Sequence, residues 1–189
     1  MPRKDLGPKT YLYPQPVIIL AAYDEEGKVN CMNAAWGAIS DYKELSICLS
    51  SDHKTVANIL KMKDFTVSPG VKSQVVACDY VGIESGNRVS DKFLKTGWHQ
   101  HRALHVNAPI IEELPLAIEC RLIDYNEDTG IMRGAIINVS VDERYLKEDG
   151  HIDTDKLEII SFDPDNNKYL LVKDVVGSAF SDGLKIKRN

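Results

Sequence analysis

The chain has 189 residues, 43% hydrophobic and 27% charged, the balance of a single globular domain over 1–189 with enough apolar surface for one buried core. That composition excludes collagen, coiled coil and extended disorder. A formal charge of -5, with the only basic run in the tail "LKIKRN" (Leu184 to Asn189), excludes a grip on nucleic acid and leaves the tail as a solvated end.

After a proline-rich entry, "VIILAA" (Val17 to Ala22) is too short to span a bilayer and has no cleavage pattern behind it. It predicts a buried strand in a cytoplasmic protein. The polar "DEEGK", with Gly27 available for positive φ, then predicts a hairpin turn into a second extended run, "VNCMNAAWG". "LSICLSS" (Leu45 to Ser51) predicts a further strand, and "DHKTVANILKMKD" predicts a helix with Val56, Ile59, Leu60 and Met62 on its apolar face. "FTVSPG" is a short strand stopped by Pro69 and Gly70.

From Lys72 to Gly97 the pattern is irregularly helical and ends on a C-cap glycine. Two long strands follow, "LPLAIECRLIDY" and "IMRGAIINVSVD", joined by "NEDTG", whose Asn, Asp and Gly supply turn chemistry. The remainder from Asp153 reads as a short helix, a loop and a strand-like end. Strands that pair with sequence neighbours, with few crossover helices, predict a mainly β antiparallel barrel with flanking helices. A Rossmann turn needs Gly-x-Gly, and this chain has none.

Several short motifs have plainer readings. "DTG" (Asp128 to Gly130) matches an aspartic protease tripeptide, but it has no second copy and sits at a predicted hairpin tip. "DPDNNKYLLVKD" starts like a calcium loop at Asp163, Asp165 and Asn167. It then has Lys168 where the sharp turn wants Gly and Asp174 where a bidentate Glu is expected, so an Asx-rich loop is the reading. On a helix, His101 and His105 of "HQHRALH" would share a face, but no carboxylate or thiol accompanies them in sequence, which leaves a solvated linker before a strand. Cys31, Cys48, Cys78 and Cys120 form no C-x-x-C pair and read as buried free thiols.

One constellation is unabsorbed. "NAAWG" offers small residues, the Asn33 amide and Trp36 to a flat ring, while "SSDHKT" offers Ser50, Ser51 and Thr55 hydroxyls with His53 and Lys54 as positive charge. That second segment opens a helix, whose free N–H groups and dipole favour a phosphate. The alternative is an ordinary helix N-cap.

Read as an ordered series, "YPQPVIILAAYDEEGKVNCMNAAWGAIS", "LSICLSSDHKTVANI", "DFTVS", "DYVGIESGNRVSDKF", "NAPIIEELPLAIECRLI" and "VGSAF" resemble the flavin reductase-like proteins of the FMN-binding split-barrel superfamily, on the flavoredoxin side. The match runs from about Tyr13 to Phe180. The resemblance implies a split β-barrel, a homodimer and FMN in a groove near the subunit interface. It implies that Asn33, Ala34, Ala35 and Trp36 lie along the ribityl chain and ring, and that Ser50, Ser51, Lys54 and Thr55 surround the phosphate, beside the charge that His53 offers. It also implies that Lys92 and Phe93 belong to a helical segment closing over the cofactor, Lys92 being a second phosphate cation. The chain departs from the pattern at Ser50, Ser51 and Asp52, where relatives carry Arg or Lys, and at Ser68 in place of Asn.

The expected function is an NADH- or NADPH-dependent flavin reductase, with FMN carrying the chemistry and electrons leaving to flavin, iron or a redox protein. The alternatives are a flavoredoxin-type carrier reduced by a partner protein and a split-barrel binding module without flavin.

Overall fold

The chain is described over residues 1–187 in a computed structural model. It begins with β1 (Gln15–Pro16), followed by β2 (Ile18–Tyr23) and β3 (Val29–Ala34), which pair antiparallel with Ile18 opposite Ala34 and Tyr23 opposite Val29. This is the predicted hairpin, and Gly27 takes φ +78 in its turn. The apolar run of β2 is unbroken because both faces are buried. Ile18, Leu20 and Ala22 point into one core, and Val17, Ile19 and Ala21 into another, as the period of two requires.

The second run stops at Ala34, and after Ala35 and Trp36 the chain forms β4 (Gly37–Asp41), a strand the sequence reading missed, which pairs with β5 (Glu44–Cys48). Then come α1 (Lys54–Met62) and β6 (Asp64–Pro69). Val56 and Ile59 of α1 are wholly buried in the core that holds Leu20 and Phe65, each contributing about 1.5–3 kcal/mol. Lys63 closes the helix in the left-handed region, its N–H donating to the Ile59 carbonyl.

The irregular helical region resolves into a 3-10 turn, α2 (Val75–Ile83) and α3 (Lys92–Lys95), with Gly97 at φ +74 just beyond. "HQHRALH" is not helical. It supplies β7 (Gln100–Arg102), which pairs with β8 (Pro109–Ile111), so His101 and His105 share no helix face. β9 (Leu116–Asn126) and β10 (Ile131–Val141) form the predicted long hairpin. α4 (Thr154–Leu157), β11 (Ile160–Asp163) and β12 (Lys168–Leu171) follow, and β1, β11 and β12 make a small sheet. The strand-like end stops at Leu171; the chain then runs exposed to α5 (Leu184–Lys187), and Arg188 and Asn189 of the basic tail lie outside the described residues.

The main sheet has seven antiparallel strands in the order β3-β2-β6-β9-β10-β5-β4. Its two edges, β3 and β4, are consecutive in sequence. Ala34 and Gly37 are three residues apart and so at most about 11 Å apart. The sheet must therefore curl until its edges meet, which makes the split barrel. Gly37 sits in that seam, where an added Cβ would lie 2.9 Å from side-chain atoms of both Ile18 on β2 and Ile47 on β5.

Candidate functional site

The seam places Asn33 to Trp36 on the floor of a groove of about 550 Å³. The end of β5 and the segment after it form one wall, through Leu49, Ser50, Ser51 and His53. The opposite wall is the tip of the β9–β10 hairpin, Glu127 to Gly130 with Tyr125 behind it. Two contacts dock that tip: the Leu49 N–H donates to the Gly130 carbonyl at 2.8 Å and Tyr125 Oη donates to the Leu49 carbonyl at 2.9 Å, while within the turn the Gly130 N–H donates to the Asn126 carbonyl and the Thr129 N–H to Asn126 Oδ1. Gly130 has φ +70 and an added Cβ would sit 2.8 Å from the Leu49 oxygen, so glycine is required there. "DTG" is a turn, as expected, and also a wall of the groove.

Trp36 is 56% exposed and lines the groove instead of filling the barrel wall. Its carbonyl accepts from the Cys48 N–H at 2.8 Å, which fixes the floor to β5. Cys48 is exposed, against the expectation of four buried thiols, because it ends β5 on the outward phase of the pleat. The other three cysteines are buried, and burial pushes the Cys31 thiol up to about 12.

At the far end of the groove, His53 is the N-cap of α1 and its side chain makes no capping bond, so the first-turn N–H groups keep their capacity for an anion. Its ring lies 3.0 Å from the Ser50 carbonyl and 3.3 Å from Asp52. Asp52 is not the cap. The Ser50 hydroxyl and then His53 hold its carboxyl below the usual range. Thr55 is 1% exposed, and its hydroxyl accepts from Asn30 Nδ2 at 2.7 Å, so it braces the helix start from beneath. Lys54 is half-buried and forms no salt bridge among the described residues. The loop before α3 supports the same corner: Asn87 Nδ2 donates to the Asp52 carbonyl, and Gly86 lies so close that a Cβ would be 2.3 Å from Asn30 Oδ1.

Lys92 and Phe93 do not line this groove. They are 3% and 8% exposed; Phe93 packs in the second core, and burial lowers the Lys92 pKa while Cys31 and Glu84 oppose the shift. Phe93 instead walls a separate cavity with Trp98.

A smaller pocket of about 240 Å³ shares Asn33, Ala34 and Ala35 with the groove. Asp79 and Gly82 of α2 and Phe162 and Tyr169 of the small sheet enclose it. Tyr169 Oη donates to Asp79 Oδ1 at 2.7 Å, and burial, then the Asp79 carboxylate, raises its pKa. The Asn33 amide donates to the Cys78 carbonyl at 3.1 Å and ties the floor to α2. The sequence reading missed Tyr125, Glu127, Asp79 and Tyr169. Asp79 lies within "DYVGI", which the resemblance quoted, but nothing local marked the others.

The groove therefore pairs a small-residue floor with hydroxyls and the start of α1 at one end, a set suited to a flat phosphorylated ligand, while Lys54 on the first turn of α1 and the buried Thr55 stand outside its lining. Residues 10–157 match the flavin reductase like domain. The chain is 35% identical to the flavoredoxin of Desulfovibrio vulgaris (Miyazaki F), covering 96% of this chain and 99% of that one with a TM-score of 0.91. It is 26% identical to the flavoredoxin of Methanosarcina acetivorans, over 98% and 100% of the two chains at TM-score 0.88. The FMN-binding domain of a flavin reductases-like enzyme from Shewanella baltica OS155, 18% identical over 87% of this chain and 89% of that one, shares the fold at TM-score 0.78. A search of curated proteins finds no match. No helix among the described residues is long and apolar enough to cross a membrane. By the domain matched over most of its length and by its split barrel, the chain belongs to the flavin reductase-like family.

Proposed function

We propose that the protein binds FMN in the seam groove and acts as a flavin-dependent oxidoreductase, drawing electrons from NADH or NADPH and passing them to flavin, iron or a redox protein. One observation carries this reading: the curled sheet brings its edges together at Ala34 and Ala35, directly beside the uncapped start of α1. The residues present fit the cofactor. Ala34 and Ala35 admit the ring, while Ser51, Lys54 and the first amides of α1 would take the phosphate. Thr55 and Asn30 hold that helix start in place. Bound there, FMN would supply hydride acceptance and electron storage.

The FMN-binding domain from Shewanella baltica and the two flavoredoxins support the cofactor assignment. The 35% identity to a flavoredoxin also favours a second reading, an electron carrier reduced by a partner protein. Titration with FMN, followed by oxidation of NADH and NADPH by the loaded protein, tests both. Quenched flavin fluorescence with nucleotide turnover supports the reductase, and quenching without turnover supports the carrier. Absence of quenching reduces the protein to a split-barrel binding module.

We further propose a homodimer, since Trp36 at the groove and Ile39 on the neighbouring strand are more than half exposed and a second copy would cover them. A cytoplasmic location accords with four cysteines that are all free.

A further inference from the structure

Two apolar surfaces of this chain are uncovered, and they lie close to each other. The first is on α2, where only Asp79 is charged, and that carboxylate accepts from Tyr169. A helix apolar on all sides is ordinarily enclosed, yet of its nine residues only Cys78 and Val81 are buried. Val76 and Ile83 are 80% and 65% exposed, with the half-buried Tyr80 between them, at the i, i+4, i+7 spacing of a single stripe. Ile83 also walls the small pocket that shares Asn33 with the groove, so the flank of the site is open on that side.

The second surface is the C-terminal segment. Every residue over 172–187 is exposed, and Val176 and Phe180 are fully so. The segment leaves the body at Val172, whose N–H donates to the Ile159 carbonyl. Beyond that point the described residues are braced only by their own bonds, such as that from the Ser178 N–H to Asp182 Oδ2. A tethered segment sits at high effective concentration beside its own body, yet this one stands clear of it. Its apolar side chains are presented to another molecule.

Two features select that molecule. The segment is basic, with Lys173, Lys185, Lys187 and Arg188 against Asp174 and Asp182, on a chain whose formal charge is -5, so a second copy attracts it. It is also rooted beside α2: Ile159, which holds Val172, bridges to Val71, the residue before the 3-10 turn that leads into α2. A two-fold axis next to these roots places each segment against the α2 of the other copy.

We infer that two copies exchange their C-terminal segments, with Val175, Val176 and Phe180 of one covering Val76, Tyr80 and Ile83 of the other. Extended, the stretch 173–180 reaches about 26 Å, roughly twice the length of α2. The lysines that follow then meet Glu84 and the negative end of the helix. This rests on the homodimer reading above and adds which surfaces meet. Seated on Ile83, the partner's segment closes the outer side of the small pocket.

The test places a photoreactive benzoylphenylalanine at position 180 of the full chain and irradiates it. Exchange predicts a species of twice the chain mass on a denaturing gel, its linked peptide mapping to 75–83. Sedimentation supplies an independent measurement: Phe180→Asp and Val76→Asp should each raise the dimer dissociation constant at least about tenfold. Both positions face solvent in the single chain, so neither variant should disturb its fold. A link formed within one chain or outside 75–83, or an unchanged dissociation constant in Phe180→Asp, overturns the exchange and leaves the homodimer standing. Wild type that sediments as a monomer at every concentration ends both.

Discussion

Asn30 Nδ2 donates to the Thr55 hydroxyl across 2.7 Å, joining the middle of β3 to the first turn of α1 in the interior. Both residues are buried, at 8% and 1% exposure, so this is the bond that sets the helix start relative to the groove floor. Replacing Asn30 by Ala leaves the Thr55 hydroxyl buried without its donor and should cost about 1–3 kcal/mol. Urea unfolding of the apoprotein measures this, with Thr55→Val expected to be milder in the Asn30→Ala background than in wild type.

Ala35 borders the groove, the Asp79 pocket and the cleft beneath the N-terminal segment. A large side chain there blocks the floor from all sides. Ala35→Trp should weaken FMN at least about tenfold, while the half-exposed position keeps the melting temperature close to wild type. Fluorescence titration reads the first and calorimetry the second. Unimpaired binding would remove the floor from the site.

Lys54 should act on the phosphate alone. Lys54→Met is expected to weaken FMN by roughly tenfold and to leave riboflavin, which lacks the phosphate, unaffected. The FMN loss should shrink with added salt, because the position is partly exposed. Parallel titrations at low and high ionic strength check both statements.

A pH effect is expected at the β7 strand. The Glu113 carboxylate accepts from His99 Nδ1 at 2.7 Å and, with its Coulombic field, raises the His99 pKa above the ordinary histidine value. Since the folded-state value is the higher one, the contact's stabilisation is fully present below the unfolded value. It disappears as pH rises through the folded value. NMR titration should show His99 with a raised midpoint that falls in Glu113→Gln.

Much of the local structure was legible in the residues themselves. The run from Val17 followed by "DEEGK" determined the β2–β3 hairpin, because an unbroken apolar strand and a positive-φ glycine leave few other conformations. The spacing of Val56 and Ile59 determined α1, and "NEDTG" determined the turn between the longest strands. Even the floor and the helix start could be picked out, since small residues and an N-terminal cluster of hydroxyls and cations are short-range signals.

The folded chain alone decided how those pieces meet. Strand order depends on pairings such as Phe65 with Cys120, far apart in sequence, and no local pattern encodes which edge returns to which. Curling the sheet put Glu127 to Gly130 opposite Ser50, and the small sheet brought Tyr169 to Asp79 of α2, ninety residues away. The fold also buried Phe93 in the second core and took the neighbouring Lys92 out of solvent, against the exposure that a charged side chain ordinarily seeks. Residue chemistry thus specified what each segment could do, whereas the closure of seven strands specified which segments do it together.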